Sequence, residues 1–332
     1  MLLFTLGDPH SVNVELARGW LGGGDLRAVL AAAQPVVVVG GKAHWRDQER
    51  RLGLPELAFV DVPTLAAARP GLLSFLDVGA GQAFVPAEQL DPRARGQLAV
   101  AALEALRAAP KGRPLAVVTG PIDKHACHEA GYPFAGQTEF FEALWQAPAV
   151  MTLAGPRLRV GLVTNHLPLA AVARAIDGRL VEQKLALFVE TLRASFGLSA
   201  PRIAVCGLNP HASDQGLFGD EEARVIAPAV ARVRERGGAV IEGPLPADTV
   251  FYRCLHGVYD GVLAMYHDQG LGPLKTVHFD EAVNLSGGLP HLRVSPDHGP
   301  AADLFLARRA SPRSFQAAFE VAANFLLSRG PA

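Results

Sequence analysis

Residues 261–275 read Gly261-Val-Leu-Ala-Met-Tyr-His-Asp-Gln-Gly-Leu-Gly-Pro-Leu-Lys275. The first five form an apolar run of strand length, and Tyr266, His267, Asp268 and Gln269 follow at once, so chemistry-bearing side chains stand at a strand's carboxyl end. The same pattern recurs upstream. Apolar residues 158–164 lead to His166, and residues 202–208 lead through Asn209 and Pro210 to His211. In α/β sheets, ligands bind in the crevice outside those ends, so imidazoles separated by 45 and 56 residues can converge there. Three neutral imidazoles suit a divalent metal such as zinc and leave positions for substrate and water. At this level, scattered histidines remain the alternative.

Outward from these segments, short aliphatic runs alternate with longer helical stretches, the pattern of an α/β sheet covered by helices. Residues 36–39 form one strand. Asp91 and Pro92 read as the N-cap and first position of a helix that ends before Pro110, and a strand at 115–119 follows. Residues 151–153 and 158–164 flank Ala154-Gly-Pro-Arg157, which predicts an antiparallel hairpin and therefore a mixed sheet. Val181, Leu185, Phe188, Leu192 and Phe196 recur at helical spacing, and Gly197 closes that helix. Asp220, Glu221 and Glu222 place acid in the first turn of a further helix running to Gly237 and Gly238. No linker, repeat or low-complexity tract separates these elements, so a second domain is expected to be interleaved with the first.

The chain has 332 residues, enough for two domains, and its 49% hydrophobic content supports a sizeable core. Lys plus Arg number 31 against 32 Asp plus Glu, so no global field favours nucleic acid or an anionic membrane. An anionic substrate must be met by local charge. Lys275 and Arg293, with Asn284 between them, are of the types that capture phosphate or carboxylate. Solvated surface cations are the bland reading. Cys127, Cys206 and Cys254 form no CxxC pair, which argues against a disulfide framework and fits a reducing compartment. The apolar start meets Asp8 almost at once and lacks a basic region, and no apolar run spans a membrane, so a cytoplasmic location is expected. The stretch Val36-Val-Val-Val-Gly-Gly41 is not GxGxxG and reads as a packed strand ending in a turn.

Six blocks in order, Thr119-Gly-Pro-Ile-Asp-Lys124, Phe134-Ala-Gly-Gln-Thr-Glu139, Leu208-Asn-Pro-His-Ala-Ser213, Pro246-Ala-Asp248, Ala264-Met-Tyr-His-Asp-Gln-Gly-Leu271 and Ser295-Pro-Asp-His-Gly299, resemble the 4-hydroxythreonine-4-phosphate dehydrogenase family of pyridoxal phosphate biosynthesis. The resemblance spans nearly the whole chain. It implies an isocitrate/isopropylmalate dehydrogenase-like α/β fold of two interleaved domains, with a mixed sheet and an active cleft between them. The expected domains are residues 1–135 plus 296–332, and residues 136–295, the latter carrying metal ligands and dimer contacts. It also implies a homodimer with the active site at the subunit interface.

The implied site has His166, His211 and His267 on a divalent metal, which is zinc, magnesium or cobalt. Gln137, Thr138, Lys275, Asn284 and Arg293 hold a small phosphorylated substrate, and Asp248 and Asp268 orient ligands or move a proton. His298, Gly299 and Asp303 resemble the adenosine-side loop for NAD or NADP. The implied reaction oxidises 4-phosphooxy-threonine and decarboxylates it to 3-amino-2-oxopropyl phosphate. A relative acting on another sugar-acid phosphate or a carboxylated cis-dihydrodiol is the alternative enzyme, and a silent metal-binding scaffold is the alternative class.

Two departures from the family pattern stand out. Residues 7–15 keep Gly7-Asp-Pro9 and Glu15 but lack the usual intervening glycines and proline, and Gln137 replaces a histidine in the block written G-H-T-E. An amide donates and accepts hydrogen bonds but carries no proton at neutral pH.

Overall fold

The computed structural model describes residues 1–32 and 34–329. Its strands in chain order are β1 (Leu2–Thr5), β2 (Val36–Gly40), β3 (Val60–Asp61), β4 (Leu73–Asp77), β5 (Ala116–Thr119), β6 (Val150–Ala154), β7 (Arg159–Leu162), β8 (Arg202–Cys206), β9 (Val240–Leu245), β10 (Gly261–Ala264), β11 (Val283–Gly287) and β12 (Leu292–Pro296). The chain divides into two compact units, Met1–Trp145 with His291–Ala332, and Gln146–Pro290. Positions 330–332 of the expected first domain lie outside the described residues.

The first unit holds a parallel sheet in the order β3-β4-β2-β1-β5-β12. Strands covered on both faces have no polar side to show, which is why Leu2–Thr5 and Val36–Gly40 are buried throughout. Phe315 and Phe319 of the helix Arg313–Leu327 meet the Phe4 ring at 6.1 and 5.3 Å, and Trp20 stacks on Phe319 at 4.5 Å. The helix Pro92–Glu104 starts as its cap predicts, with the Ala94 N–H donating to Asp91 Oδ1 at 2.7 Å. β2 and β5 lie on opposite sides of β1, so the loops leaving β1 and β5 part at a topological switch point, where open α/β sheets gather ligands.

The second unit has the order β11-β6-β7-β10-β8-β9. β6 pairs antiparallel with β7 and β11, while β7, β10, β8 and β9 pair parallel, so the hairpin makes the sheet mixed. The helix Gly178–Phe196 ends as Gly197 takes φ 69°, and its N–H donates to the Arg193 carbonyl. Phe188 of this helix lies so close to the sheet that a Cβ on Gly161 or Gly261 would sit 2.7 or 2.8 Å from its ring. Full burial of one such ring is worth about 1.5–3 kcal/mol, so these glycines serve packing. The acidic cluster before Ala227 departs from expectation. Residues Glu222–Ile226 form a π turn where a regular first helical turn was expected, and Glu222 is buried inside the unit.

All three cysteines are free and buried. Among the described residues no helix is long and apolar enough to cross a membrane.

Candidate functional site

His166, His211 and His267 leave β7, β8 and β10 at the same end because these strands are parallel neighbours, with β10 between the other two. The Thr164 N–H and Oγ1 both donate to the Met265 carbonyl, at 3.2 and 2.8 Å, tying the β7 exit to the β10 exit. This brings the His166 and His267 rings to 5.4 Å between centroids. On the other side, Gln269 bridges β10 to β8, accepting from the Met265 N–H at 2.6 Å and donating to the Gly207 carbonyl at 2.8 Å. β8, which leads to His211, lies two strand spacings, or about 10 Å, from β7.

Each of two imidazoles has a carboxylate at Nδ1. His267 Nδ1 donates to Asp268 Oδ1 at 2.7 Å, and His211 Nδ1 lies 4.0 Å from Asp248 Oδ2. In a neutral ring, such a donation fixes the tautomer with its lone pair on Nε2, the atom a metal requires. His211, Asp248, Asn209, Tyr266 and Gln269 line a cavity of about 290 Å³. Among the described residues no three His, Cys, Asp or Glu side chains already converge as a metal-holding group. The donor chemistry nevertheless fits a divalent cation.

The backbone beneath His211 is unusual. His211, Ala212, Ser213, Asp214 and Gln215 take φ of 53, 52, 75, 44 and 58° in succession, a left-handed turn without glycine. L-residues lose on the order of 1–2 kcal/mol each in that region, so the turn persists only because its surroundings hold it. Glu222 is its main anchor. Oε1 accepts the N–H groups of Leu208 and Asn209 at 2.8 and 2.7 Å, and Oε2 accepts Asn209 Nδ2 at 3.0 Å. Ser213 Oγ donates to the Gly219 carbonyl at the far end.

The first unit carries a second constellation. Arg293, in β12 opposite Val117 of β5, is only 4% exposed. Its Nε and Nη2 donate to Thr119 Oγ1 at 3.2 and 2.9 Å, and Nη2 also donates to Gln137 Oε1. Thr119 Oγ1 donates to the same Gln137 oxygen at 2.6 Å, while Gln137 Nε2 donates to the Gly120 carbonyl at 3.1 Å. Burial pushes the Arg293 guanidinium down to about 10, with Tyr132 and Glu139 acting the other way, so it stays charged at neutral pH. Thr119 and Gln137, which accept from it, are neutral dipoles that orient the guanidinium. Gln137 and Thr138 open the helix Gln137–Trp145, whose N-terminal N–H groups favour anions.

Other anticipated residues are dispersed. Lys275 sits in the last turn of the helix His267–Val277, 5.6 Å from the Phe279 ring centroid. Asn284, in β11, has its Oδ1 buried without a hydrogen-bond partner, a vacancy that a ligand donor fits. His298 Nδ1 donates to the Gly299 carbonyl at 2.8 Å, a Cβ on Gly299 would meet nothing within 4 Å, and Asp303 is exposed in the turn Ala302–Leu304. An exposed carboxylate on an open loop has the acceptor chemistry that ribose hydroxyls require. By contrast, a Cβ on Gly40 would meet Leu6 at 2.5 Å, which fits the packed-strand reading of residues 36–41.

Sequence reasoning did not single out Thr119, Glu222 or the Asp8–Arg95–Asp123 group. Arg95 pairs with Asp8 at 3.1 Å and Asp123 at 3.3 Å, at the loops leaving β1 and β5. Burial drives Asp8 up to about 6, against the opposing pull of the His10 N–H and Arg95. The available signal was position, since Asp8 and Asp123 follow apolar runs just as His166 does.

These constellations belong to an α/β fold that gathers histidines and carboxylates at the carboxyl ends of parallel strands, where such folds bind ligands. The chain belongs to the family of the pyridoxal phosphate biosynthetic protein PdxA, whose family model matches residues 31–322. It is 39% identical over 319 residues to the 4-hydroxythreonine-4-phosphate dehydrogenase of Desulfosudis oleivorans, covering 96% of this chain and 94% of that one. The crystal structure of 4-hydroxythreonine-4-phosphate dehydrogenase from Klebsiella pneumoniae is 34% identical and superposes with a TM-score of 0.80 over 98% of each chain. A terephthalate 1,2-cis-dihydrodiol dehydrogenase from Burkholderia xenovorans LB400 is 27% identical, with a TM-score of 0.63 over 97% of each chain.

Proposed function

We propose that this oxidoreductase uses NAD or NADP and a divalent metal to convert 4-hydroxythreonine 4-phosphate to a β-keto acid. Loss of CO₂ then gives 3-amino-2-oxopropyl phosphate, for pyridoxal phosphate synthesis. The observation that carries the substrate assignment is Arg293. A guanidinium buried to 4% exposure and oriented by Thr119 and Gln137 offers a fixed, charge-assisted donor of the kind that recognises a phosphate.

When bound, the metal supplies Lewis acidity and the nicotinamide accepts the hydride. The residues of the chain bind and orient. Arg293 and Thr138 hold the phosphate, Gln137 fixes Arg293, and Lys275 and Asn284 make further substrate contacts. His166, His211 and His267 are the metal ligands, Asp268 holds the His267 tautomer, and Asp248 receives the substrate's hydroxyl proton. His298, Gly299 and Asp303 bind the cofactor's adenosine side.

The working form is a homodimer whose metal site draws imidazoles from both copies. Two features support this. His166 and His267 pair while His211 stands apart, and the segments bearing His166 and His211 expose Leu169 and Leu217 by 71% and 72%. The free buried cysteines are consistent with a cytoplasmic location.

A second reading, oxidation of a carboxylated cis-dihydrodiol, is favoured by the Burkholderia xenovorans relative and by Gln137 in place of histidine. The test is NAD(P)H formation from phosphorylated hydroxy acids and cis-dihydrodiols with added divalent cations. The proposal expects turnover of 4-hydroxythreonine 4-phosphate. Turnover of the dihydrodiol alone would replace it with the second reading.

A further inference from the structure

We infer that Glu222 is a positioning residue for metal binding, acting through the left-handed turn that carries His211. This rests on the reading of His211 as a metal ligand. Glu222 is 4% exposed. Its carboxylate gathers the Leu208 and Asn209 N–H groups and the Asn209 side chain, just ahead of Pro210 and the turn. The Asn209 amide is held from a second side by Glu221 Oε2 at 2.7 Å, and the Asn209 carbonyl accepts the Ala212 N–H at 3.2 Å. The clamp therefore fixes Asn209, one residue ahead of Pro210 and the five left-handed residues that follow it.

Glu222 sits in a π turn, where the extra residue per turn re-aims a side chain off the regular helical spacing. A buried carboxylate and a strained turn are both unfavourable alone. Together they satisfy the N–H groups that this backbone path leaves without sheet partners, and they place His211 beside Asp248 in the cavity. Without the clamp, the turn relaxes toward ordinary right-handed φ and His211 loses its placement.

The test is titration of full-length wild-type, Glu222→Gln, Glu222→Ala and His211→Ala proteins with Co²⁺, read by d–d absorption and by calorimetric Kd, alongside the Tm of each metal-free protein. Glu222→Gln keeps the shape but sets an amide N–H₂ against the Asn209 amide, so it should fold and bind Co²⁺ at least about threefold more weakly, while Glu222→Ala should lose about tenfold or more, in the range known for outer-shell partners. The Co²⁺ spectrum should change in both. If Glu222→Ala does not fold, Glu222→Gln decides. A lowered Tm with wild-type Kd and spectrum in Glu222→Gln, while His211→Ala loses binding, would overturn the inference and leave the metal reading standing. Wild-type Co²⁺ binding by His211→Ala would overturn both.

Discussion

The Arg293 cluster and the His211 turn reach readiness by opposite routes. Arg293 is buried, and its guanidinium is held by Thr119 and Gln137 on regular elements, β5 and the first turn of a helix. His211 is exposed and stands on a left-handed turn held from behind by Glu222. The desolvation of Arg293 is completed on folding, so on our proposal the phosphate requires little rearrangement. Among the described residues the three imidazoles do not converge within one chain, so on our proposal their assembly waits for a cation and a second copy. On our proposal, folding alone prepares the first site and association completes the second.

The largest expected effect breaks the second site. Chelation of divalent metal, or His267→Ala, should lower kcat/KM by more than about a hundredfold, beyond the usual cost of losing an outer-shell partner. Full activity in a metal-free preparation would contradict the account. Mixing His211→Ala with His267→Ala chains should restore up to about a quarter of wild-type activity, since half of randomly paired dimers are hybrids and each hybrid has one intact site. Hybrids that form yet stay inactive would show that one chain supplies all three imidazoles.

Asp8 tests whether buried charge in the first unit is desolvated in advance. Its folded pKa, raised from 3.8 to about 6, means that the folded state holds a proton which the unfolded chain releases at lower pH. Stability should therefore fall as pH rises from about 4 to about 6 and level off above, by at most ~3 kcal/mol. Asp8→Asn should remove that slope, and Arg95 retains Asp123. Urea midpoints across pH 4.5–7.5 read this out in about half-unit steps. A wild-type-to-variant difference that does not grow with pH would exclude it.

Arg293→Ala should reduce kcat/KM for the phosphorylated substrate by about tenfold or more, at roughly 1.4 kcal/mol per tenfold, and barely affect an analogue without phosphate. Gln137→His should be the mildest change, within about tenfold. The ring offers one acceptor where Gln137 Oε1 takes both Thr119 and Arg293, and it adds an ionisation near neutrality. An unaltered pH profile would place Gln137 outside the site.

The strand-end histidines were legible because apolar runs followed by polar residues mark the carboxyl ends of a parallel sheet, and β7, β10 and β8 are indeed neighbours. Gly197, Asp91 and the β6–β7 hairpin were legible for local reasons of cap and turn chemistry. β1 was not recognised as a strand, because Leu2–Thr5 is too short and uniformly apolar to show a period. Glu222 was read only as acid in the first turn of a helix, because nothing local announces a π turn or the backbone N–H groups it meets. Thr119 escaped notice as a functional residue because its part depends on Arg293, 174 residues away.

The central claim is that this enzyme recognises a phosphate through a charge buried in advance. Its most direct test is the wild-type kcat/KM, in the presence of divalent metal and NAD or NADP, for 4-hydroxythreonine 4-phosphate against 4-hydroxythreonine. The account predicts a preference of at least about tenfold for the phosphorylated compound, the equivalent of one charge-assisted contact. Equal values for the two would contradict it.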